Sequence, residues 1–281
     1  MKCKICGQKA INFGGGTYYI ENCQDFLIPF YYCHNCNCFT RDVDDNFIFS
    51  HLKSASYTNV KNEKKFYRQR IKFFKYLFSL TKKHTNHISN WLDFGCSYGH
   101  LIDFLNLQGV DSDGIEISEE ARKFAQNKGL GIFEKIESLP KGKKYDVISL
   151  IDSLYYIKEP ISLIKKLYDI TSSNGLLIIR ITNRNWLAKL KKSILGREPG
   201  SVLGDATISY SKESIAYLLE NNGFKILNIT SIEKGKSIAI KTKIFYILTS
   251  VLNILSFNII NISPGLVVIA KKNPMHNICL Q

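Results

Sequence analysis

The sequence predicts an α/β protein: an open, mostly parallel sheet covered by helices, preceded by a small β module that carries cysteines. Three observations carry that expectation. Residues 90–99 are a short apolar run that ends in Asp93, turns over Gly95 and Gly99, and enters the helical pattern Leu101, Ile102, Phe104, Leu105. Further apolar runs of strand length then alternate with helical patterns up to residue 270. Ahead of all of them, two Cys-x-x-Cys pairs bracket a stretch of alternating aromatic and β-branched residues.

The length of 281 residues can bury one sizeable core and a small appendage. A hydrophobic content of 45% without long low-complexity runs sets aside disordered and fibrous classes. The net charge of +14 suits an anionic partner, but the lysines are scattered and no arginine-rich run carries interleaved aromatics. A solvated basic surface is therefore the first reading. The start Met-Lys-Cys-Lys-Ile-Cys lacks the pattern of a secretory signal, so the expected location is cytoplasmic, with peripheral contact at the inner face of a membrane as an addition.

Residues 1–41 make up the cysteine module. Each Cys-x-x-Cys pair can form a tight turn that points two thiolates at one metal, and two turns supply the four soft ligands of tetrahedral Zn²⁺. Cys3, Cys6, Cys33 and Cys36 are the expected ligands. Gly7 and Asn37, each just after a pair, tolerate the positive φ that such turns need. Cys38 and His34 are substitute ligands, and Cys23 lies in the intervening hairpin. The stretches 13–20 and 26–32 read as short strands around glycine turns. A module of about 40 residues lacks the core to fold alone, so structural zinc would supply much of its stability. A disulfide framework is the alternative.

Residues 42–84 are a polar linker followed by a helix, with Phe66, Ile71, Phe74, Leu77 and Phe78 on a helical period, Asn62 as its cap and Glu63 in its first turn. The main domain spans 85–272. A second strand ends in Glu116, and Ser118 with Glu119 and Glu120 opens the next helix. Residues 131–134 are a weak third strand, and 144–152 a fourth with Asp146 at its entry and Asp152 at its exit. Pro160 starts a helix that Asn174 and Gly175 end, 176–182 are the fifth strand, and a basic loop runs from 183 to 204. Ser211 with Ser214 starts the closing helix and Gly223 stops it. Residues 244–262 are apolar but interrupted by Thr249, Ser250, Asn253 and Ser256 on one helical face. An amphipathic helix inserted at 241–262 before the last strand is expected, and an interfacial helix in peripheral membrane contact is the second reading. A tail follows at 273–281.

The glycine turn also selects a ligand. A pyrophosphate-binding turn needs G-x-G-x-x-G, but here Ser97 holds the middle glycine position and Asp93 stands two residues before Gly95. An acid there repels phosphate and suits an ammonium group. Glu116 stands where a doubly wound fold places its ribose-binding acid. Two acids beside a glycine loop fit a ligand with a cationic amino acid end and a free ribose diol. Ligands lie beyond the carboxyl ends of parallel strands, which sets residues 152–156 opposite the Gly95 loop.

These residues resemble those of class I S-adenosylmethionine-dependent methyltransferases. Asp93-Phe-Gly95-Cys-Ser97-Tyr-Gly99 is similar to their first motif, D/E-x-G-x-G-x-G, and Glu116 to the ribose acid of the second. The resemblance covers roughly residues 65–272 and implies a Rossmann-like, seven-stranded methyltransferase sheet with S-adenosylmethionine as cofactor. It implies Asp93, Gly95, Cys96, Ser97 and Gly99 along the methionine end, Glu116 and Ile117 at the ribose, Ile136 near the adenine, and Asp152 across from the loop. Many relatives carry a histidine where Tyr156 stands. Tyr156 and Asp152 are the expected catalytic residues, with Tyr210 a further candidate base. No Asn-Pro-Pro-Tyr or Asp-Pro-Pro-Tyr follows the fourth strand, which disfavours amino methylation of nucleic-acid bases. A cysteine module ahead of this domain resembles sugar C-methyltransferases, whose usual extra C-terminal domain has no counterpart here, and a ribosomal RNA guanine methyltransferase, whose cysteine pairs lie closer together. The expected function is methyl transfer to a small molecule, a sugar or glycan-pathway intermediate, with a nucleotide- or lipid-linked sugar included. The alternatives are ribosomal RNA base methylation with the module gripping RNA, and a non-catalytic zinc-dependent interaction protein on the same scaffold.

Overall fold

A computed structural model describes residues 1–18, 26–44, 61, 63–231, 248, 251, 255, 263 and 265–274. The module supplies β1 (Ile11–Tyr18), β2 (Phe26–Cys33) and β3 (Cys38–Arg41), paired antiparallel in that order. The helix α1 (Glu63–Lys82) leads into β4 (Asn90–Phe94), α2 (His100–Asn106), β5 (Asp111–Ile115), α3 (Glu119–Gln126), β6 (Gly131–Phe133) and β7 (Tyr145–Ile151). Then come α4 (Pro160–Ile170), β8 (Thr171–Thr182), α5 (Asn185–Leu195), α6 (Gly200–Leu203), β9 (Ile208–Ser209), α7 (Lys212–Glu220), β10 (Phe224–Ser231) and β11 (Gly265–Lys272).

The main sheet has seven strands in the order β10-β11-β8-β7-β4-β5-β6. The five from β8 to β6 are parallel, and β11 runs antiparallel to both neighbours. Helices cover both faces, so the central strands read as continuous apolar runs rather than alternating ones. On one face Phe74, Leu77, Leu101 and Leu105 of α1 and α2 pack on Trp91, Val147 and Ile178. On the other, Ile164 and Leu167 of α4 and Leu218 of α7 pack on Leu92, Ile148 and Ile179. The cysteines Cys3, Cys33, Cys36 and Cys38 belong to that second core, so the module is packed into the main domain.

Several local expectations are corrected. The helix from Pro160 ends at Ile170, before Asn174: Thr171 turns to extended backbone at φ −78°, ψ 134°, and its Oγ1 donates to the Leu167 carbonyl at 2.6 Å; Asn174, at φ 66°, then lies within β8. The basic loop 183–204 folds into α5 and α6, with Gly196 at φ 62° closing α5. Residues 208 and 209, just before the closing helix, form β9, which joins the module as its fourth strand through Phe39↔Ser209 and Thr40↔Ile208. The glycines 14–16 lie inside β1, not at turns. They admit α6: a Cβ on Gly200 would stand 2.2 Å from Gly16 Cα.

Cys23, Asn62, most of the linker and the end of the tail lie outside the described residues. Of the 241–262 insert only Leu248, Val251 and Leu255 are described, all helical. Among the described residues no helix is long and apolar enough to cross a membrane.

Candidate functional site

A cleft of about 570 Å³ opens at the carboxyl ends of β4, β5 and β7, where the chain crosses from the β4-β5-β6 half of the sheet to the β7-β8 half. Asp93, Gly95, Cys96, Ser97, Glu116, Ile117, Ile136, Asp152 and Tyr156 all line it. Gly99 does not; it caps α2 at φ 73° behind the loop. Tyr210 is also absent from the wall, being 1% exposed, and burial raises its phenol well above the ordinary range, so it is no base for this cleft.

The loop after β4 is set by backbone geometry. Gly95 N and Cys96 N donate to Ile115 O at 2.8 and 3.0 Å, which folds the loop over the end of β5. Gly95 sits at φ 80°, and a Cβ there would lie 2.6 Å from Ser153 Cβ. Only glycine leaves the backbone open at that point. Ser97, at φ 51°, donates its N–H to Glu116 Oε2 at 2.8 Å, and Ser118 N donates to Oε1 at 2.7 Å. Both carboxylate oxygens are thereby fixed at the cleft wall. Burial pushes the Glu116 carboxyl above its ordinary range, partly offset by those two N–H groups.

Asp93 lies deeper, 4% exposed. Ser149 Oγ donates to its Oδ1 at 2.6 Å and itself accepts from Trp91 Nε1 at 2.8 Å. Burial pushes the Asp93 carboxyl up to about 6, although the Ser149 bond and the Arg70 charge oppose the shift. Arg70 comes from α1 and faces the same space, with Phe66 and Phe74 beside it. The first turn of α1 is tied down: Glu63 Oε1 lies 2.8 Å from His100 Nε2 and 3.2 Å from Lys128 Nζ. Burial opposes the Glu63 charge, but the bonds from His100 and Lys128 outweigh it and hold the carboxyl low.

On the β7 side, Asp152 has φ 60° and its carboxylate pairs with Arg180 of β8, with Arg70 Nη2 at 3.8 Å. Its carboxylate is thereby committed to two guanidinium groups. Tyr155 and Tyr156 follow with ring centroids 4.6 Å apart, and Tyr156 Oη donates to Asp205 Oδ2 at 2.8 Å. Arg70, Arg180 and Asp205 were not singled out from the sequence. Arg180 had a legible signal, a charge inside an apolar strand run; Arg70 and Asp205 had none, since each acts through a contact distant in sequence.

In the module, Cys3, Cys6, Cys33 and Cys36 bring their sulfurs within 4.8 Å of one another. Cys3 and Cys36 are 3.5 Å apart, as are Cys6 and Cys33. Four sulfurs about 2.3 Å from a tetrahedral Zn²⁺ stand about 3.8 Å apart, so the donor set fits that ion. Gly7 and Asn37 take φ 72° and 54° as expected. Cys38 Sγ lies 3.4 Å from Cys3 and 3.5 Å from Cys36, placing a fifth thiol against the cluster. None of these five cysteines is joined in a disulfide.

The methyltransferase domain family model matches residues 61–229, more than half of the chain. A ubiquinone biosynthesis O-methyltransferase of Histophilus somni is 32% identical over 110 residues, which take in 34% of this chain and 46% of that one. The chain thus matches only about half the length of its curated relatives. Among solved structures, the plantazolicin methyltransferase in complex with SAH aligns with a TM-score of 0.54 at 17% identity, covering 80% of this chain and 94% of that one. Magnesium protoporphyrin IX methyltransferase from Synechocystis PCC 6803 with bound SAM aligns at 0.51 and 15%, covering 83% and 99%. These likenesses show a common fold, and the match over 61–229 settles the family: the chain belongs to the methyltransferase domain family.

Proposed function

We propose that the chain transfers the methyl group of S-adenosylmethionine to a small molecule, with a sugar or glycan-pathway intermediate as the acceptor class. The observation that carries this is the pairing of Glu116, whose carboxylate oxygens are both fixed by loop N–H groups, with Asp93 and Arg70 in one cleft. An α-amino acid end carries an ammonium and a carboxylate, and Asp93 and Arg70 offer one partner for each. Glu116, with Ile117 beside it, would accept from the ribose diol, and Ile136 would flank the adenine. When bound, the donor presents a methyl group on a sulfonium, which is displaced in line.

The chain's own contribution is alignment and the exclusion of water, effects that can supply about 7 to 11 kcal/mol. Phe66 and Phe74 of α1 shield the cleft, and Tyr155 and Tyr156 offer aromatic faces to an acceptor ring. The named activities of the curated relative and of the two solved neighbours support a small acceptor. Cys3, Cys6, Cys33 and Cys36 would hold a structural Zn²⁺, leaving no open ligand position for catalysis.

Incubation with methyl-labelled donor and, separately, nucleotide sugars and structured ribosomal RNA tests the reading. Label in a sugar product supports it. Label in RNA, with binding that weakens steeply with salt, would shift the assignment to RNA methylation. Failure to bind S-adenosylhomocysteine would leave a non-catalytic zinc-dependent scaffold.

A further inference from the structure

We infer that Tyr156 and Asp205 together form the proton acceptor of the reaction, and that the cysteine module holds Asp205 in place. The inference rests on the methyl-transfer reading and adds that the acceptor presents a hydroxyl. Asp152, the other acid at this strand end, is committed to Arg180 and Arg70. Tyr156 lines the cleft and donates its phenolic proton to Asp205 Oδ2 at 2.8 Å. A phenol alone is a poor base near neutrality, its ordinary value being about 10. Coupled to a carboxylate it need never ionise.

The acceptor O–H proton passes to Tyr156 Oη while the Tyr156 proton passes to Asp205 Oδ2. The acceptor oxygen bonds the methyl carbon, and the electron pair of the broken C–S bond stays on sulfur. Tyr156 begins and ends as a neutral phenol, the sulfonium charge is lost, and Asp205 finishes as a neutral acid that later releases its proton to water.

Asp205 owes its position to a residue far away in sequence. Arg41, at the end of β3 and 1% exposed, donates through Nη2 to Gly204 O at 2.8 Å and through its backbone N to Thr207 O at 2.8 Å, gripping the chain on both sides of Asp205. Its guanidinium lies 3.7 Å from the Phe30 ring centroid. Thr207 N in turn donates to Tyr155 O at 2.9 Å, which fixes the same segment against the tyrosine pair. Immediately after it, β9 extends the module's sheet. Asp205 is thus a positioning residue and terminal acceptor, and Tyr156 is the catalytic residue that touches the acceptor.

The test joins an acceptor-free and an acceptor-bearing readout. In protein labelled with 3-fluorotyrosine, the ¹⁹F resonance lost in Tyr156→Phe is that of Tyr156. It should shift with pH through the carboxylate range, and the step should vanish in Asp205→Asn while S-adenosylhomocysteine affinity stays within twofold. Catechol, methyl β-glucopyranoside and UDP-glucose then serve as hydroxyl probes. Turnover of any of them should fall at least 100-fold in Tyr156→Phe and Asp205→Asn and return to within tenfold in Asp205→Glu, with a shifted acid limb of the pH profile. A step that persists in Asp205→Asn, or turnover retained in either variant, overturns the inference. Wild-type protein that binds S-adenosylhomocysteine yet methylates none of the three probes overturns the hydroxyl assignment. Loss of S-adenosylhomocysteine binding by the wild type would instead refute the underlying methyl-transfer reading.

Discussion

Replacing Asp93 with asparagine should stabilise the empty protein while weakening its hold on the donor. Asp93 is 4% exposed, and its carboxyl is raised from 3.8 to about 6 by burial. An acid whose value is higher in the folded chain takes up a proton on folding at any pH between the two values. Stability therefore falls as pH rises from about 4 to 6, and the full penalty persists above that window. A difference of about 2 units at 1.36 kcal/mol each gives about 3 kcal/mol at pH 7.5. The asparagine side chain would keep an oxygen for the Ser149 hydroxyl and remove the charge, so Asp93→Asn should recover most of that. Urea unfolding at pH 7.5 and pH 4.5 checks it: the variant should be more stable by about 2 to 3 kcal/mol at the higher pH and by only about 1 kcal/mol at the lower. Binding of S-adenosylhomocysteine should respond oppositely. It should weaken at least tenfold in the variant, and in the wild type as pH drops through 6, because a neutral Asp93 no longer attracts the ammonium group. A variant less stable than wild type at pH 7.5, or a difference that ignores pH, would refute the idea that Asp93 is a buried charge retained for a cationic ligand.

Three more outcomes follow from the geometry. Gly95→Ala places a Cβ 2.6 Å from Ser153 Cβ at φ 80°, so it should cost about 1 to 3 kcal/mol in thermal unfolding and abolish S-adenosylhomocysteine binding by calorimetry. Glu63→Ala frees the first turn of α1 from His100 and Lys128; α1 amides should exchange faster with deuterium, and donor affinity should fall about tenfold because α1 no longer holds Arg70 in place for the donor carboxylate. Purified protein should carry one zinc per chain by elemental analysis, Cys33→Ser should lose it, and a chelator should lower the melting temperature because the cysteines share the core of the main domain.

What the sequence made legible was local. The acid, the glycines and the apolar run of residues 90–99 sit side by side in the chain, and Glu116 ends its own strand, so spacing alone placed them in one cleft. The Ser118 and Ser211 caps were legible for the same reason: each hydroxyl accepts from a backbone N–H three residues on. The rest depends on contacts between distant segments. No periodicity reveals that residues 208 and 209 complete the module's sheet, that Arg41 grips the segment carrying Asp205, or that Gly16 and Gly200 meet backbone to backbone. The helices at 185–203 were hidden by lysines, because propensity without a clear apolar stripe is a weak signal. Tyr210, plausible as a base from its neighbours in sequence, is sealed beside the cysteines, where burial rather than sequence decides its role.

The central claim is that this cleft holds S-adenosylmethionine through its ribose and amino acid ends. Calorimetric titration of S-adenosylhomocysteine into zinc-loaded wild type and Glu116→Ala, with circular dichroism to confirm that both are folded, tests it most directly. The account predicts micromolar binding at one site per chain in the wild type and at least a 100-fold loss in the variant, since two charge-assisted bonds at about 1.5 to 3 kcal/mol each are removed. Folded wild type that binds no S-adenosylhomocysteine, or a variant that binds it as tightly, would contradict the account.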